Sequence, residues 1–297
     1  MSPNPDRRVA DRMTPDPLPI APEASLDEAL ALFQDHGFRH LPVVSGGSLV
    51  GILSDRDLSL ATGRVPFADR LPGLPGSRGE DALHPPGLVS EVMRSPVVTV
   101  APERPLREAA GLLLEEQVGS LPVVGGERLV GILTDTDLLR EFRMECDDHP
   151  DGPGHCETVE HHMQHEVVSL GPGDTVEDAI GLCLAHGFHH VPVVEDGTLL
   201  GLVSDRDLKL GFGRAIAADL VAEEEGRLEV SPLALSSVMT HCVVDVDPRF
   251  RLCRAAAILI KNKFSALPIT DGGRLVGILT QTDILRHYAA ARPAVRS

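Results

Sequence analysis

The apolar positions of this chain recur in one pattern. They run Leu26, Ala29, Leu30, Phe33; then Leu106, Ala109, Ala110, Leu113, Leu114; then Val176, Ala179, Ile180, Cys183, Leu184; then Leu252, Ala255, Ala256, Leu259, Ile260. This i, i+3, i+4, i+7 stripe predicts four amphipathic helices. Ser25 with Glu28, and Thr175 with Asp178, predict capping boxes at helix starts, and Pro105 suits a first helical position. Two short apolar runs around a turn follow each helix, as in LPVV-SGGS-LVGIL and LPIT-DGGR-LVGIL. They predict buried hairpins with Gly-rich turns. A second helix is predicted from SDRDL, TDTDL, SDRDL and TQTDI, and an earlier strand from PVVTV, EVVSL and CVVDV. The order is strand, helix, strand, strand, helix, and the class is α/β. A unit of about 50 residues buries too little alone, so the units must pack together.

Five landmarks fix the repeat. Met13, Leu26, Pro42, Gly51 and Asp57 are spaced 13, 16, 9 and 6 residues apart. The same spacing holds for Met93, Leu106, Pro122, Gly131, Asp137; for Met163, Val176, Pro192, Gly201, Asp207; and for Met239, Leu252, Pro268, Gly277, Asp283. Copies one and three share GF[RH]H before the strand and SDRD after it, whereas copies two and four share LVGILT-x-TD. That predicts a two-repeat module duplicated whole. The expected divisions are a tail 1–12, repeat 13–60, connection 61–88, repeat 89–143, linker 144–158, repeat 159–210, connection 211–234, repeat 235–288 and tail 289–297. The Asp-, Gly- and Pro-rich linker ECDDHPDGPGHCETV marks the module boundary.

Composition narrows the chemistry. The net charge of −17 argues against nucleic acid and an anionic membrane surface as partners, but not against a small anion met by a few local Arg or His residues. Aromatics are 3% with no Trp, so a bound base would lie mostly between aliphatic side chains. Five Cys in irregular spacing do not read as a disulfide framework, and the first residues offer no apolar leader, so a cytoplasmic protein is expected. Cys146, His149, His155, Cys156, His161, His162 and His165 match no common zinc spacing, so no metal is assigned. No GxSxG, P-loop, GxGxxG or HExxH is present, so no catalytic role is expected.

The [ST]-x-x-D after a G-h-h strand, behind an L-P-V strand, resembles the CBS domain, two of which form a Bateman module. The four-copy arrangement is similar to the γ subunit of AMP-activated kinase and to stand-alone prokaryotic sensors. The resemblance implies repeats paired about a pseudo-twofold axis, with two clefts per module. Two modules can complete a pseudo-symmetric disc as a monomer, or chains can form a homodimer. It further implies a ligand that is AMP, ADP or ATP, with S-adenosylmethionine, another anion or no small ligand as the alternative, and no required cofactor. Signalling would run to a regulated partner protein. Asp57, Asp137, Asp207 and Asp283 would hold ribose hydroxyls, with Ser54, Thr134, Ser204 and Thr280 near phosphate. Arg39, His40, His189 and His190, just before the strand, would reach the phosphate, and Arg56 and Arg206 are placed to face an anion. Copies two and four carry Gly119, Ser120, Ser265 and Ala266 there, so the better anion contacts are expected from copies one and three. The same [ST]-x-x-D is also a capping box, which needs no ligand.

Overall fold

The computed structural model describes residues 7–62, 87–148, 157–204, 207–208 and 232–290. The chain divides into two compact units, Met1–Glu145 with Leu285–Ser297, and Cys146–Ile284.

In the first unit the elements are β1 (Thr14–Pro15), a helix Leu26–His36, a hairpin of β2 (His40–Ser45) and β3 (Ser48–Ser54), and a helix Asp55–Thr62. A helix Leu106–Glu115, a hairpin of β4 (Ser120–Gly125) and β5 (Arg128–Thr134), and a helix Asp135–Asp148 follow. The second half of the chain holds helix Val176–His186, β6 (His190–Glu195), β7 (Thr198–Ser204), β8 (Thr240–His241), helix Leu252–Asn262, β9 (Ala266–Asp271), β10 (Arg274–Thr280) and helix Gln281–Ala290, the last of which belongs to the first unit from Leu285 onward.

The predicted helix stripes face the core. Leu26, Ala29 and Phe33 are buried, as are Leu106, Ala109, Ala110 and Leu113. Leu184 is an exception at 81% exposed. It lies eight residues after Val176, at the edge of the stripe, where the angular drift of an α-helix carries a side chain outward. Ser25 accepts from the Glu28 N–H at 3.1 Å, a one-sided cap. Thr175 and Asp178 form the full reciprocal box. Pro105 is the N-cap and Leu106 opens the helix, one residue later than expected, within the usual spread of helix boundaries.

All four hairpins form, and each slips register by one residue beside the landmark Gly. The Asp196–Gly197 turn has φ of 51° and 83°, the backbone that Asp-Gly supports in a two-residue hairpin. The predicted early strand is reduced to one-residue parallel bridges, Ile20↔Val43, Val100↔Val123, Leu170↔Val193 and Val246↔Ile269. Val44 donates to Ile20 O at 2.9 Å, and only that short stretch runs beside the hairpin before the chain turns into its helix.

Repeats pair by exchanging their first segments. Thr14 pairs with Ile132, Arg94 with Ile52, Gln164 with Ile278, and Thr240 with Leu202. The N–H of each landmark helix-start residue donates to the segment just before the other repeat of its pair: Leu26 to Gly87 O (3.1 Å), Leu106 to Arg7 O (2.9 Å), Val176 to Leu233 O (2.9 Å), Leu252 to Glu157 O (3.0 Å). Val9, Val89, Val159 and Leu235, each four residues before the landmark Met, are fully buried. Each Met lies against the landmark Gly of the other repeat: Met93 on Gly51, Met13 on Gly131, Met239 on Gly201, Met163 on Gly277. A Cβ on any of these glycines would overlap the Met sulfur. Thus repeats one and two form one module, and three and four the other.

Candidate functional site

Each [ST]-x-x-D begins at the last residue of the second hairpin strand, and in repeats one, two and four a helix starts at the next residue. There the hydroxyl and carboxylate cap each other. Asp57 Oδ2 accepts from Ser54 Oγ at 2.5 Å and Ser54 N at 3.3 Å, and Ser54 Oγ accepts from Asp57 N at 3.0 Å. Asp137 Oδ2 accepts from Thr134 Oγ1 at 2.7 Å and N at 3.0 Å. Asp207 Oδ2 accepts from Ser204 Oγ at 2.6 Å and N at 2.8 Å, and Asp283 Oδ2 from Thr280 Oγ1 at 2.6 Å and N at 2.8 Å. The capping box is therefore present in all four repeats. A carboxylate oxygen offers about two acceptor positions, so Oδ2 is filled and any further donor must use Oδ1.

Three of the Oδ1 atoms have side-chain partners among the described residues, and the partners differ. Asp57 Oδ1 accepts from Arg94 Nε at 3.1 Å and Nη2 at 3.0 Å. Asp137 Oδ1 accepts from Arg140 Nη1 at 3.0 Å, on its own helix. Asp283 Oδ1 accepts from Gln164 Nε2 at 3.4 Å. Arg94 and Gln164 both follow a landmark Met and come from the paired repeat.

The residues before the strand also meet the paired repeat. His190 Nε2 lies 2.8 Å from Ser265 Oγ. His40 lies at the matching place in the first module, its ring close enough to Gly119 that an added Cβ would meet it at 3.3 Å. Burial pushes the His40 pKa down to about 4, with Arg39 and Arg94 repelling the imidazolium and Asp57 opposing them. His40 is therefore neutral near pH 7 and offers a hydrogen bond rather than the charge its position suggested. Asp135 has Oδ2 near the same Gly119 and Oδ1 accepting from Thr136 N at 2.6 Å. Burial raises its pKa, against Arg39 and the Thr136 bonds. Arg39 is half-buried, and Arg56 and His189 are exposed. Arg206 lies outside the described residues.

A family model described as CBS domain matches residues 9–62, 89–143, 159–211 and 235–290. The chain belongs to the CBS-domain family. Its two units are tandem Bateman modules, formed by the segment exchange described above. The protein MJ1225 of Methanocaldococcus jannaschii is 25% identical over 91% of this chain and 94% of its own length. Its solved structure, described as that of a candidate archaeal homologue of γ-AMPK, superposes with a TM-score of 0.70 at 22% identity, covering 95% of this CBS chain and all of that one. A conserved protein from Pyrococcus horikoshii gives 0.63 at 23% identity with the same coverage. Both are likenesses of fold. The CBS domain-containing protein YhcV of Bacillus subtilis is 34% identical over 44% of this chain and 81% of its own.

Sequence reasoning missed Arg94, Arg140 and Gln164, although the slot directly after each CBS landmark Met was a readable pointer to two of them. It also missed Glu141, fully buried and paired with Arg7 Nη1 at 2.5 Å and with Arg12 Nε. Among the clustered Cys and His residues that matched no zinc spacing, His161 meets Thr158 (2.9 Å), His162 meets Glu157, and His165 meets Glu160 O (3.1 Å). His149, His155 and Cys156 lie outside the described residues. Among the described residues no helix is long and apolar enough to cross a membrane.

Proposed function

We propose that this CBS-domain chain is a non-catalytic regulatory sensor that binds adenine nucleotides, AMP, ADP or ATP, in clefts between paired repeats. Occupancy would bias the arrangement of the pair and so its contact with a regulated protein. The observation that carries this reading is the meeting, in both modules, of a helix-start carboxylate from one repeat with the residue after the Met of the other.

The chemistry is suited to a nucleotide. Asp57, Asp137, Asp207 and Asp283 would accept from ribose hydroxyls through Oδ1. Ser54, Thr134, Ser204 and Thr280 stand at helix N-termini, which favour phosphate. Arg39, Arg56, Arg206, His40, His189 and His190 would add donors. Leu18, Val168 and Val244, each five residues after a landmark Met, are all 40% exposed. Exposed aliphatic side chains at one register in three repeats suit the face of a base.

Calorimetry with AMP, ADP, ATP and S-adenosylmethionine tests the proposal. A ligand at 100-fold excess over its Kd should add about 2.7 kcal/mol of stability. Asp207→Asn keeps one oxygen for the cap and replaces the other with an amide, so it should weaken AMP about tenfold with little change in melting. Unchanged affinity in the Asn variants of all four Asp would remove the site assignment. Asp57, Asp137 and Asp283 each have a protein donor on Oδ1 among the described residues, which favours a second reading, an interaction scaffold without a small ligand, which predicts no heat with any of these compounds.

A further inference from the structure

The residue after the landmark Met occupies one equivalent place in all four repeats. It lies beside the residue following the landmark Gly of the paired repeat: Thr14 by Ile132, Arg94 by Ile52, Gln164 by Ile278, Thr240 by Leu202. The backbone setting is shared, but the side chain differs. Arg94 reaches Asp57 with two guanidinium N–H groups on the single atom Oδ1. Gln164 places one amide donor on Asp283 Oδ1 at 3.4 Å. Thr240, opposite Asp207, is exposed and much shorter.

Resting on the nucleotide reading above, we propose that the residue after the landmark Met sets the affinity of the opposite cleft. Arg94 acts as a built-in competitor for the ribose-accepting oxygen of Asp57, whereas Thr240 leaves that of Asp207 to a ligand. With Oδ2 held in the capping box, a ribose can reach Asp57 only by displacing the guanidinium from Oδ1. The Arg94 side chain is 61% exposed, so the pair is screened and the barrier is modest. A displaced pair of this kind costs up to about fivefold in affinity, equal to ~1 kcal/mol. The two modules would then respond over different concentration ranges although their backbones are alike.

The test is titration calorimetry of the full chain with AMP. In an Asp207→Asn background, Arg94→Thr should tighten the remaining binding by up to about fivefold. In the otherwise unaltered chain, Thr240→Arg should weaken the tightest site by a similar factor. Both positions are largely exposed, and a melting curve for each variant checks that it folds. Weaker or unchanged binding in Arg94→Thr overturns the competitor role, the first making Arg94 a ligand contact. No heat from AMP in either the unaltered chain or Arg94→Thr overturns the nucleotide reading and this inference with it. Heat that is lost in Asp207→Asn but not regained in Arg94→Thr overturns the inference alone.

Discussion

His190 Nε2 meets the hydroxyl of Ser265 at 2.8 Å, whereas the matching His40 lies against Gly119, which has no side chain to answer it. The same step in the repeat thus gives a hydrogen-bonded imidazole in one module and an imidazole packed against backbone in the other. Burial and two neighbouring guanidinium groups hold His40 at a pKa of about 4.

A pH dependence follows from that shift. The unfolded chain takes up the His40 proton near pH 6.5 and the folded chain only near 4. The unfolded state therefore binds more protons in that window. Stability is full above about pH 6.5 and falls as the pH drops toward 4, by up to about 3 kcal/mol. Asp135, whose pKa is raised, works in the opposite sense, so the measurement needs a variant. Urea unfolding from pH 7 to 4 should show a shallower loss in His40→Gln than in the unaltered protein, and equal slopes would contradict the shift.

The Met–Gly exchange predicts coupling between residues far apart in sequence. Gly131→Ala should destabilise by about 1–3 kcal/mol, because the new Cβ overlaps the Met13 sulfur. Adding Met13→Ala should recover part of that loss. A double-mutant cycle should therefore give a coupling of about 0.5 kcal/mol or more. Independent, additive effects would mean that repeats one and two do not exchange these segments in solution.

This exchange also explains which features the sequence disclosed. Stripes such as Leu106, Ala109, Ala110 and Leu113 are local, and a 3.6-residue period reveals them directly. The register of Met and Gly was visible as spacing, but its cause was not, because Met13 answers to Gly131 rather than to Gly51. Thr175 and Asp178 declared their cap because both partners lie within one turn. Arg94 did not declare its hold on Asp57, since spacing within a repeat carries no information about which side chain its neighbour presents. The strand expected at PVVTV shrank to a single bridge at Val100. Its apolar pattern suggested a buried strand, but of these five residues only Val100, the one that bridges to Val123, is buried, while Pro96 and Thr99 are exposed.

Glu141 has no exposed side-chain surface and is held by Arg7 and Arg12. Removing one partner of a buried ion pair leaves the others uncompensated. Glu141→Ala should therefore cost about 3 kcal/mol in urea unfolding at pH 7. Glu141→Gln, which keeps the shape and one acceptor, should cost less. A loss in Glu141→Ala no greater than that of an exposed Glu would show that the two arginines stay hydrated in solution.

The capping boxes separate stability from ligand binding. Thr280 Oγ1 accepts from Asp283 N at 3.3 Å and donates to its carboxylate at 2.6 Å, with Asp283 itself only 3% exposed. Thr280→Ala removes the helix cap and leaves that carboxylate one donor short, so it should cost about 1–2 kcal/mol without any nucleotide present. Thr280→Ser keeps the hydroxyl and should recover most of it. Thermal melts of the ligand-free chain decide the matter. If Thr280→Ala melts like the parent, the helix start does not depend on its cap, and the hydroxyl must matter through the ligand instead.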